Sequence, residues 1–145
     1  MLEVTAALVV VTGMLLLGMV LGKRYIQAER EQVFLDQIET EWSSLQSRSR
    51  MNLSSAVVLF IGGSRVVHFE EKYRYGWRAH EVPMPATFLT LPKTPSTRVE
   101  QTSGGKMFAQ PKTLRFNSTL GYHYEFTFEM GWGRLVIKKV AGMVE

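Results

Sequence analysis

A chain of 145 residues has room for one domain and one anchor. The formal charge is +4, and all of the excess lies beyond the first 22 residues: 17 Lys and Arg against 12 of the 13 acids gives 17 − 12 = +5 for residues 23–145. That excess suits anionic lipid, cell-wall polymer or nucleic acid without selecting one of them, while the lack of cysteine excludes disulfides and thiolate metal sites within the chain.

The first element is apolar. Val4 to Gly22 is a run of 19 residues without a charge, in which only Thr5 and Thr12 are polar. As a helix it is about 28 Å long, close to the roughly 30 Å of a hydrocarbon core. Lipid offers no partner to a free N–H or C=O, so the run is predicted to be helical. Gly13, Gly18 and Gly22 are compatible with this, since glycine lets membrane helices pack closely. Cleavage of the run as a secretory signal is not expected: no basic residue precedes Lys23, and it exits into Gly22-Lys23-Arg24-Tyr25 without a small-residue cleavage site. Glu3 has two readings. It can sit in the interface and complement the positive end of the helix dipole, or it can pair with a charge on another subunit. Lys23 and Arg24 favour a cytoplasmic C-terminal side, which is the wrong way round for an exported domain.

Beyond Gly22 the period changes. Leu35, Ile38, Trp42 and Leu45 step by three, four and three, marking one face of an amphipathic helix, and Glu29, Arg30, Glu31, Asp36, Glu39 and Glu41 are assigned mostly to the other faces. One helix from about residue 3 to 46 is expected, some 65 Å long. A coiled coil is the structural alternative, but the heptad is short. Serines 43, 44, 47 and 49 weaken helix propensity and are expected to end it. Ala56–Ile61, Gly62-Gly63 and Arg65–Phe69 read as a β-hairpin. A third strand is expected within 70–82, carrying Tyr73, Tyr75 and Trp77 on one face and Lys72, Arg74 and Arg78 on the other. Pro83, Pro85, Pro92 and Pro95 then break regular structure, and 102–106 reads as a loop. Strands are expected at about 112–117, 122–129 and 134–140. The organisation is a membrane helix (1–22), an amphipathic extension (23–50) and a β-rich domain (51–145). The class is α+β, a long N-terminal helix packed on a small, mainly antiparallel sheet.

Chemistry-bearing patterns are sparse. His68, His80 and His123 lack metal-ligand spacing and read as structural or surface residues. Ser54-Ser55 has no nucleophile-elbow context, and Gly62-Gly63-Ser64 is too short for a phosphate loop. Glu70-Glu71 reads as a solvated pair at a turn. No enzyme, metal or cofactor is expected. Lys72, Arg74 and Arg78, interleaved with aromatics, are the candidate contacts for DNA or envelope polymer, although a strand separates rings from cations.

Leu2-Glu3-Val4 and the apolar run ending at Lys23-Arg24 resemble the start of a mature type IV pilin or pseudopilin. That family opens with a short basic leader, a cleavage site and a Phe-Thr-Leu-Leu-Glu-like stretch. Leu2-Glu3 matches its last two letters, and Met1 stands where the family has leucine. A basic leader upstream of Met1 is therefore expected, and it would restore an N-in, C-out topology. Thr113–Gly121, Glu125–Phe128, Gly131–Arg134 and Leu135–Ile137 resemble the closing strands of minor pseudopilins, in particular the D-type (ComGD-type) of Gram-positive competence operons. The resemblance implies a structural subunit of a competence filament needed for DNA uptake. Its partners would be major and minor pseudopilins, prepilin peptidase and the assembly ATPase, with DNA contact indirect. It also implies that Glu3 pairs with the N-terminal amine of a neighbouring subunit. The alternatives are a minor pseudopilin of a type II secretion system, a membrane-anchored DNA-binding tip module, and an unrelated single-pass envelope protein.

Overall fold

A single helix, α1 (Leu2–Asn52), opens the chain and runs for 51 residues, about 76 Å at 1.5 Å per residue. The structure is a computed structural model and describes residues 2–52, 55–61, 63–73, 75–89, 97–101, 112–129 and 133–142. Strands follow in the order β1 (Ala56–Phe60), β2 (Val66–Tyr73), β3 (Gly76–Pro83), β4 (Phe88–Leu89), β5 (Thr97–Gln101), β6 (Lys112–Ser118), β7 (Tyr122–Phe128) and β8 (Leu135–Ala141). They form two antiparallel four-stranded sheets, ordered β3-β2-β1-β5 and β4-β6-β7-β8. The expected α+β class holds, with the strands divided between two sheets rather than gathered in one.

The helix is divided by its surroundings, not by a break. Residues 3–26 are all exposed, whereas Glu31, Phe34, Leu35, Ile38, Trp42, Leu45 and Ser49 are buried. Those seven positions recur at three- and four-residue steps, one stripe of a 3.6-residue helix. The stripe meets both sheets. Phe34 packs edge-on against Phe88 at 5.2 Å between ring centroids, and Trp42 does the same against Phe128 at 5.1 Å. Phe60 of β1 touches Phe116, Phe126 and Phe128 of the second sheet, so the two sheets share one core with the helix. Such aromatic pairs each contribute about 0.5–1.5 kcal/mol beyond the area they bury.

Three local expectations are corrected. First, the serines do not end α1 at about residue 46; it continues to Asn52. Burial of Leu45 and Ser49, and an Arg48–Glu71 ion pair of 3.2 Å, outweigh their weak propensity. Second, residues 70–82 are not one strand. β2 ends at Tyr73 and β3 begins at Gly76, whose φ of +153° lies where a residue with a Cβ rarely goes. Third, Glu71 is not at a solvated turn but lies within β2, buried against the helix. Two strands in the proline-rich stretch, β4 and β5, were not expected. The loop expected at 102–106 lies outside the described residues, as does Met1.

Candidate functional site

The first half of α1 is bare among the described residues. An 18-residue window of it has a mean hydropathy of 2.5, and none of that window is buried. The helix is long and apolar enough to cross a membrane. Glu3 stands exposed in its first turn, where the aligned peptide dipoles favour a negative charge, and it makes no ion pair among the described residues.

A second feature lies where the helix enters the domain. Glu31 is fully buried, with 0% of its surface exposed. Its carboxylate accepts three hydroxyls from the second sheet: Ser118 Oγ at 2.6 Å on Oε1, and Tyr122 and Tyr124 at 2.7 and 3.1 Å on Oε2. The register of the β6–β7 hairpin explains the convergence. Ser118 faces Tyr122 across the ladder, and Tyr124 follows on the same face two residues later. Ser118 Oγ also accepts the Leu120 N–H at 3.1 Å, which fixes its hydroxyl toward Glu31. Burial pushes both phenols above the usual tyrosine range, reinforced for Tyr122 by donation to Glu31 and for Tyr124 by its bond with Tyr122. The Lys139 ammonium sits 3.7 Å over the Tyr122 ring, bringing a cation to the edge of the cluster. Further along α1, Trp42 Nε1 and Gln46 Nε2 both donate to the Gly133 carbonyl at 2.6 Å. Gly133 presents that carbonyl from a left-handed conformation, φ +65°.

Between the far end of α1 and the β2–β3 hairpin runs a groove of about 280 Å³ lined in part by Glu41, Arg48, Phe69, Glu71, Arg78 and His80. His80 Nε2 lies 3.4 Å from Glu41, and Arg48 is paired with Glu71. Of the three cations singled out in the sequence, the two that are described are not brought together. Lys72 is the ladder partner of Trp77, and Arg78 the partner of Glu71, so Lys72 and Arg78 point to opposite faces of the sheet. Arg74 lies outside the described residues. The expected separation of rings from cations is therefore corrected: Trp77 shares its face with Lys72, because the turn at Tyr75 shifts the alternation. Among the described residues no group of three or more His, Asp or Glu is placed to hold a metal ion.

Sequence reading missed Glu31, grouping it with solvated charges. The signal was there: residue 31 lies on the Leu35–Ile38–Trp42–Leu45 stripe, one turn before Leu35. Comparison with protein-family models, with curated proteins and with solved structures gives no match.

Proposed function

We propose that the protein is a minor pseudopilin, a structural subunit of a type IV pilus-like competence filament that serves DNA uptake. One observation carries this reading: a single unbroken helix whose first 24 or so residues, about 36 Å, are bare and contain the uncharged run Val4 to Gly22, while its second half is built into the core of the β-domain. A helix of this kind holds the domain at the membrane through its first half. On assembly it exchanges lipid for the helices of sister subunits. That exchange changes the hydrophobic energy little, so packing and polar pairing select the register. Glu3, without an ion-pair partner among the described residues, pairs with the N-terminal amine of a neighbouring subunit in this scheme. In a low dielectric a paired charge is tolerated and an unpaired one is strongly disfavoured.

The role is structural, with no catalytic step. Major and minor pseudopilins are the direct partners, prepilin peptidase and the assembly ATPase act on the subunit, and DNA contact is indirect. The chain enters the membrane once, N-in and C-out, and then the surface filament. The opposite-facing Lys72 and Arg78 favour this over a DNA-binding tip built on those residues. In cells carrying the chain with a basic leader, Glu3→Ala is expected to leave membrane insertion intact and to abolish co-purification with sheared filaments. Normal incorporation of that variant would remove the role given to Glu3, and a cytosolic β-domain would remove the whole reading.

A further inference from the structure

The edges of the two sheets are not equivalent. β4, at one edge of the second sheet, has two residues, and β8, at its other edge, carries Lys138 and Lys139 on its two faces, a pattern that discourages strand addition. β3 has neither protection. It is eight residues long, among the described residues pairs only with β2, and holds no lysine and no proline before Pro83 at its end. Six consecutive residues, Gly76 to Glu81, are exposed on both faces, although Glu41 and Leu45 of α1 reach the groove beside Arg78 and His80. Among the described residues no strand pairs with its outer N–H and C=O groups, the kind of open ladder that an added strand uses.

The side chains state what that strand must carry. On the face toward the groove stand Arg78 and His80. Glu41 lies beside His80, and Glu71, the ladder neighbour of Arg78, is held by Arg48. Arg78 itself has no ion-pair partner among the described residues. On the other face Trp77 stays 54% exposed, with Ala79 next to it along the strand. The fitting neighbour places an acid beside Arg78 and apolar side chains beside Trp77 and Ala79. A second copy pairing through its own β3 does not meet this demand. The central antiparallel registers of two β3 strands set Arg78 against Arg78, Arg78 against His80, or His80 against His80, and none supplies an acid.

We propose that the outer edge of β3 is a docking site for an extended strand of a different protein, one with an acidic residue on the groove face between apolar residues on the opposite face. The proposal does not rest on the filament reading, since the β3 edge belongs to the single chain.

The test uses the full-length protein in detergent micelles and three labelled peptides matched to β3 in length. The first alternates valine and threonine around one central glutamate. The second has lysine in place of the glutamate, and the third replaces alternate residues with proline. The acidic peptide is expected to bind, the proline peptide not to bind, and hydrogen exchange to slow at the amides of β3. Arg78→Glu, at an exposed position, is expected to weaken the acidic peptide by about tenfold and to turn the preference toward lysine. Circular dichroism of the variant establishes that it is folded. Equal binding of the acidic and lysine peptides, protection confined to another strand, or an unchanged preference in folded Arg78→Glu would each overturn the proposal.

Discussion

Glu31 shows how one side chain joins two elements far apart in sequence. A carboxylate removed from water is strongly disfavoured unless its oxygens are filled, and here three hydroxyls fill them. Removing the acceptor takes the shared partner from the Ser118, Tyr122 and Tyr124 hydroxyls and leaves them only one another. Glu31→Ala is therefore expected to destabilise the folded domain by about 2–4 kcal/mol, and Glu31→Gln, which keeps one acceptor oxygen, by about 1–2 kcal/mol. Denaturant unfolding of the full chain in detergent checks both. The phenols add a pH dependence. Their folded pKa values lie above that of an unfolded tyrosine, near 10, so the folded state holds these protons longer. Stability from this source is complete below about pH 10 and declines as pH rises toward the folded values. A melting temperature followed from pH 9 to 11 is expected to fall, and to fall less steeply in Tyr122→Phe than in the parent.

The seam between α1 and the sheets is the corresponding question for elements. Trp42 is its centre, with its ring against Phe128 and its N–H on Gly133, in a contact that spans 91 residues of chain. Trp42→Ala is expected to cost about 3–5 kcal/mol, through the cavity more than the hydrogen bond, because Gln46 still reaches the same carbonyl. The loss is measurable as a shift in the unfolding midpoint. The helical side of this seam was legible, since Leu35, Ile38, Trp42 and Leu45 are spaced by the helix period alone. The β1–β2 hairpin was legible for a similar reason, its two apolar runs flanking a glycine pair. Two features were not. The serines near the end of α1 carry weak local signals that long-range burial overrides, and no window around them contains Glu71 or the sheet. The β2–β3 turn hides within an unbroken alternation of rings and cations, where only Gly76 marks the reversal. Glu31 lay between these cases: its stripe was visible, but its three hydroxyl partners sit 87 to 93 residues away.

At the scale of the whole molecule, the two halves of α1 ask for different solvents. Residues 3–26 turn every side chain outward, and no part of the β-domain covers them. The buried stripe begins only at Glu31, so about eight residues separate the exit of the apolar run at Gly22 from the first core contact, roughly 12 Å of helix. Lys23, Arg24 and the exposed Tyr25 lie in this interval, in the order expected of residues at a membrane surface. The domain therefore does not need the anchor for its core. Removal of residues 1–22 is expected to give a monomer that stays in solution without detergent and unfolds with the same midpoint as the full chain, to within about 0.5 kcal/mol, as distant and independent sites do. The full chain, under the same conditions, is expected to aggregate or to require detergent, because the bare helix exposes a continuous apolar surface far larger than soluble proteins tolerate. Size-exclusion chromatography of the two forms separates the outcomes. A truncated form that unfolds early would show that the first half of α1 supports the domain. A full chain that is monomeric in plain buffer would show that its apolar surface is satisfied by something other than lipid or a sister helix.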